Sequence, residues 1–157
     1  MQTAQSLNWG RVLAQGVAAG VAGGAVFQLY LYLTTVLPAH GSVLADWQAI
    51  AAAAIGPTAF TAIAYAWLGL LVNFIVSIGW AGGYAYFAQS QPIANKRWLL
   101  AGSTYGIVVY VFMQILLLGA HAFVFPPTPN AFFNDVIAHV LFFGVPVAYV
   151  VARMNGE

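Results

Sequence analysis

Ala131–Arg153 reads AFFNDVIAHVLFFGVPVAYVVAR, an apolar stretch that still carries Asp135 and His139 in its first half. A run of about twenty apolar residues is the mark of a transmembrane helix, because a helix satisfies its own backbone polar groups where water cannot. An ionisable pair inside such a run is costly unless the groups are paired or hydrated. This one stretch therefore poses the question of the fold and the question of the site together.

The composition of the whole chain agrees with the membrane reading. Of 157 residues, 62% are hydrophobic and 4% charged, whereas a water-soluble domain carries roughly a quarter charged residues. Lipid must be the solvent for much of the surface. A net charge of +1 offers no basic field for nucleic acid. The absence of cysteine excludes disulfides, thiolate ligands, iron–sulfur clusters and cysteine nucleophiles. The chain reads as a single membrane domain over residues 1–157, all-α in class.

Outward from the quoted stretch, three further spans are predicted. The first covers about residues 12–37, and with no charged leader before Arg11 it reads as an uncleaved span. Gly16, Gly20 and Gly24 lie along one of its faces, the spacing that lets helix backbones approach closely in lipid. The second covers about 60–87 and carries Asn73; the third covers about 98–120 and carries Gly102, Gly106 and Gln114. The quoted stretch, 131–153, is the fourth. Its Pro146 cannot donate to the carbonyl of Phe142, which predicts a kink.

Between the first two spans, VLADWQAIAAAAI (about 43–55) reads as a short helix capped by Ser42 and ended by Gly56-Pro57. At about thirteen residues it falls short of the roughly 30 Å hydrocarbon core, so an interfacial helix on the outer side is expected. Arg11, Lys96, Arg97 and Arg153 are the only lysines and arginines, and four spans place all of them on one side. The positive-inside rule makes that side cytoplasmic, with both termini there, in an inner or plasma membrane.

Spans one and three align without a gap. Arg11/Arg97, Leu13/Leu99, Gly16/Gly102, Gly20/Gly106 and Gln28/Gln114 coincide at one constant offset. Spans two and four align more weakly, through Gly79/Gly144 and Tyr84/Tyr149. The pattern predicts a four-helix bundle of two helical hairpins in parallel repeat, related by an axis along the membrane normal. On this alignment His139 and His121 have no polar ionisable counterpart in the first half.

The candidate site follows from these spacings. Asp135 and His139 lie one turn apart on one face, and Gln114 and His121 share a face of the preceding helix. Four residues, Gln114, His121, Asp135 and His139, are the candidate cofactor-binding set; His40, His121, Asp135 and His139 are the candidate metal ligands. Imidazole with carboxylate suits zinc, copper or iron; two histidines suit haem; an Asp–His pair suits a quinone or a proton. The same groups could also do no more than hydrogen-bond helices together. No H-E-x-x-H, Walker or G-x-S-x-G motif occurs, so no enzyme class is indicated.

Three functions are compatible with this. The glycine faces favour an accessory or scaffold subunit that packs in the bilayer with copies of itself or within a larger membrane complex. The outer cluster favours a metal-, haem- or quinone-binding redox protein. The parallel hairpins would suit a small transporter or channel formed as a dimer.

Overall fold

The computed structural model describes residues 7–119 and 128–156, and every regular element among them is helical. Helix α1 covers Trp9–Val36. Asn8 caps its start by accepting from the Arg11 amide at 3.0 Å, and its last turn, Tyr32–Val36, widens to π geometry. Helix α2, Val43–Ile55, ends as expected at Gly56, whose φ of +69° suits a residue without Cβ. Ser42 stands at its N-cap position but makes no capping bond through its side chain. A 3₁₀ turn over Gly56–Phe60 follows. The Gln48 side chain holds that connection by donating to the carbonyls of Ala59 and Ala62, both at 3.0 Å.

Helix α3 is Ala64–Ser90, α4 is the single turn Ile93–Lys96, and α5 is Trp98–Gly119. Helix α6 runs over Pro129–Met154, with Thr128 accepting from the Ala131 amide at 3.2 Å. Pro129 sits in its first turn, where a missing N–H costs nothing. Pro146 does constrain α6. The helix answers by widening to π geometry over Ala138–Gly144, and the Val145 amide bonds Val140 O. That register lets the turn before the proline form without the carbonyl clash an α-turn would impose.

Five of these helical stretches are long and apolar enough to cross a membrane: α1, α2 with its 3₁₀ extension to Phe60, α3, α5 and α6. Their burial pattern is that of a protein in lipid. The interior is built from small residues such as Ala19, Ala81, Ala85, Ala148 and Ala152, with Tyr84, Val147 and Val151 among them. Large apolar side chains point outward instead, Leu13, Trp67, Leu100 and Leu118 each more than half exposed. Helices that gain nothing hydrophobically from leaving lipid associate by close packing, which small residues permit.

Glycine contacts give the arrangement. A Cβ on Gly16 would fall 2.9 Å from Gly82 Cα, one on Gly20 2.7 Å from Ile78 N, and one on Gly24 2.9 Å from Ser77 Oγ. As the α1 number rises the α3 number falls, so α1 and α3 are antiparallel. In the second half, a Cβ on Gly102 would meet Gly144 O at 2.7 Å, and one on Gly106 would meet Val140 Cα at 2.6 Å. Helices α5 and α6 are antiparallel in the same way. Gly23 of α1 faces Val147 and Phe143 of α6, which joins the two pairs. Helix α2 docks on α3, where Gly69 packs against the Trp47 carbonyl.

One end of this bundle gathers the basic residues. Arg11 Nη2 donates to Met154 O at 3.0 Å, and Gln15 Nε2 donates to Asn155 Oδ1 at 2.7 Å. Asn155 in turn donates to Asn95 Oδ1 at 3.0 Å, and Asn95 to Ala88 O at 3.2 Å. The start of α1, the α3–α5 turn and the end of α6 are thus stitched together beside Arg11, Lys96, Arg97 and Arg153.

The packing predicts a sharp contrast between two glycines. Gly20→Leu should cost more than about 2 kcal/mol, since overfilling a tight contact moves backbone. Gly79→Ala, at a site with nothing within 4 Å, should be neutral or slightly stabilising. Thermal unfolding in detergent, followed by circular dichroism, measures both.

Candidate functional site

Three of the four candidate cofactor-binding residues meet. Gln114 Nε2 of α5 donates to Asp135 Oδ2 of α6 at 3.1 Å. His139 Nδ1 lies 2.9 Å from the Asp135 carbonyl oxygen and 3.3 Å from Asp135 Oδ1. With the proton on Nδ1, the ring donates toward Asp135 and leaves Nε2 as an acceptor. The imidazole is buried and held on its faces and edges by two rings. Phe27 of α1 stands 4.9 Å away and Tyr110 of α5 5.4 Å away, both edge-on.

The backbone sets this position. His139 is the second residue of the π segment, and its carbonyl packs directly on Gly106. The widened turn and the missing side chain at Gly106 together fix how far α6 reaches toward α5. Single π-turns within α-helices occur often at functional sites.

The other candidates stand apart. His121 lies outside the described residues. His40 is exposed in the turn after α1, with φ of +50°, and joins none of the contacts of Gln114, Asp135 and His139. Among the described residues no three His, Asp or Glu side chains gather closely enough to hold a metal ion. Of the two histidines considered for haem, the described residues place only His139 in the interior.

What the trio borders is a large cavity of about 580 Å³. Its walls come from α1, α2, α3, α5 and α6. Trp80, Val109, Met113 and Phe143 supply apolar and aromatic surface, while Asn73, Gln114, Asp135, His139 and Asp46 supply polar groups. Aromatic side chains connect α3 and α5, Trp80 with Phe112 at 5.8 Å and Tyr84 with Tyr105 at 5.1 Å, and of these rings Trp80 lines the cavity. A second cavity of about 210 Å³ lies between α1 and α2, lined by Gln28 and again by Asp46. The Nε2 of Gln28 and the Nδ2 of Asn73 are buried without hydrogen-bond partners among the described residues.

Two polar features were not legible from spacing. Asn134, beside Asp135, points to α1 instead of α5. It accepts from Tyr30 Oη at 2.7 Å and donates to Thr35 Oγ1 at 3.2 Å and Thr34 Oγ1 at 3.3 Å. Adjacent residues on a helix face directions about 100° apart, so the Asn-Asp pair could have indicated two partners. Asp46, a charged residue in the otherwise apolar α2, shares the cavity wall with Ile50 and Ala53.

No family model, curated protein or solved structure matches the chain.

Asn134→Leu removes the bonds that tie α6 to the end of α1. It is expected to cost about 1–2 kcal/mol, and Tyr30→Phe rather less, on the scale of hydrogen bonds between membrane helices. Thermal unfolding of the two variants and their combination measures this. A strictly additive double variant would show that Tyr30 and Asn134 do not interact.

Proposed function

We propose that this chain is a multi-pass protein of the inner or plasma membrane that holds a lipophilic small molecule in the cavity between its two helical hairpins. The observation that carries the reading is the cavity itself. Its volume of about 580 Å³ falls in the range of small-molecule sites, which are mostly apolar with a few convergent polar groups. Gln114, Asp135 and His139 would orient the polar part of the ligand. Aromatic and aliphatic walls would hold the rest. A quinone fits such a site more readily than a metal or haem, each of which needs ligands that the described residues do not assemble.

The scaffold alternative draws less support. Gly16, Gly20, Gly24, Gly102 and Gly106 pack against α3 or α6 of the same chain, so those faces are occupied without a partner. The parallel repeat is favoured by Gly16/Gly102 and Gly20/Gly106, paired positions that each sit at the contact within their own hairpin. Gln28 and Gln114 depart from it: Gln114 bonds Asp135, while Gln28 Nε2 has no partner among the described residues.

For topology we favour four crossings, α1, α3, α5 and α6. Support comes from parity. Helices α1 and α3 are antiparallel neighbours, so α2 begins and ends on the side where α1 finishes and α3 starts. A helix that returns to its own side has not crossed, and α2 is α-helical for only 13 residues. The basic end of the bundle would face the cytoplasm.

Two experiments test these readings. A neutral lipophilic aryl diazirine should photolabel Met113 and Trp80 saturably, whereas lipid-facing Leu100 should label in proportion to probe concentration. Met113→Trp, which adds bulk to the cavity wall, should weaken the saturable component at Trp80; equal, non-saturable labelling at all three residues would contradict the proposal. Cysteines placed singly at positions 41 and 62 should react with an impermeant maleimide from outside the cell. One at 155 should react only after lysis, and reaction of 41 and 62 from opposite sides would show that α2 crosses.

A further inference from the structure

Charge is distributed in this chain more unequally than its net value shows. Lys96, Arg97, Arg11 and Arg153 all belong to one end of the bundle, and no lysine or arginine is among the described residues lining the large cavity. Both acidic residues of the described chain, Asp46 and Asp135, line it. They come from different helices, α2 and α6, and their situations differ. Asp135 accepts from Gln114 and lies against His139. The Asp46 amide donates to Ser42 O at 3.1 Å, but its carboxylate makes no hydrogen bond or ion pair among the described residues, although the residue is half-buried at the junction of two cavities.

A half-buried carboxylate without a partner is poorly solvated on its apolar side and gains most from a counter-charge that brings its own apolar surface. A small inorganic cation does not meet this need, since the cavity offers few oxygen ligands and is mostly hydrocarbon-lined. A lipophilic cation does. Its charge would face Asp46 and Asp135, and its apolar body would lie on Trp80, Phe27 and Phe143, whose ring faces also attract cations. We infer that the ligand of this cavity is a lipophilic cation, of the quaternary ammonium, phosphonium or protonated amine class, with Asp46 as its counter-charge. The inference rests on the cavity being a small-molecule site and adds the sign of the ligand's charge; a neutral quinone is the competing ligand.

The test is competition against the neutral aryl diazirine in a non-ionic detergent. Tetraphenylphosphonium and tetraphenylborate have the same shape and opposite charge. The phosphonium should displace the saturable label at Met113 at least tenfold more effectively than the borate. Asp46→Asn should reduce that preference about tenfold, the effect of roughly 1.4 kcal/mol, and Asp46→Glu should keep it. Saturable labelling that both ions displace equally, or a preference unchanged in a folded Asp46→Asn variant, would overturn the inference while leaving a neutral-ligand site standing. Absence of saturable labelling in the first place would overturn the cavity reading and this inference with it.

Discussion

Close backbone contact at glycine is the constraint from which the remainder of this structure follows. In lipid, burial of apolar side chains gives helices no reason to associate, so dispersion across tight contacts must supply it. Gly16, Gly20 and Gly24 bring α1 onto α3, and Gly102, Gly106 and Gly144 bring α5 onto α6. Each hairpin is thereby closed along its length. Between the hairpins the contact is uneven. Gly23 admits Val147 and Phe143 where α1 meets α6, but α3 and α5 carry Trp80, Tyr84, Tyr105 and Phe112 on their facing sides. Of these rings Trp80 lines the cavity, whose other walls come from α1, α2, α5 and α6.

The same contacts place the chemistry. Gly106 receives the carbonyl of His139, and the π segment ahead of Pro146 determines which residues of α6 turn toward α5 and α1. Proline removes one backbone donor, and the helix adapts by shifting its hydrogen-bond register over Ala138–Gly144. His139 then lies between Phe27 and Tyr110 with Asp135 behind it. A local backbone constraint in the sequence thus becomes the placement of a buried imidazole. The Gln114 amide completes the arrangement from the neighbouring helix.

Much of the helical architecture is legible in the sequence. Hydropathy located α1, α3, α5 and α6 to within a few residues, because long apolar runs admit few alternatives. The start of α3 was the largest discrepancy, Ala64 against about residue 60, since Gly56–Phe60 forms a 3₁₀ turn held by Gln48. Helical spacing also anticipated that Gln114, Asp135 and His139 would converge. It did not reveal the cavity, which depends on how far apart two helices stand and not on which residues each carries. Nor did it reveal Asp46 as a wall residue: the apolar stripe of α2 marks one favourable face but does not say that α3 takes Trp47 and Ala51 and leaves Asp46 to the cavity. His121 lies outside the described residues, so the metal set that relied on it gains nothing from the structure.

Taken together, the fold is two tight hairpins, with the basic residues at one end and the two aspartates around the interior space. That division gives the cavity a character distinct from the rest of the chain. The proposed intramembrane small-molecule site is tested most directly by native mass spectrometry of the protein released from its own membrane in mild detergent. A non-phospholipid adduct at about one per chain, diminished when Met113 is replaced by Trp, is the predicted result. A bare chain, or one carrying only phospholipid with no dependence on Met113, would contradict it.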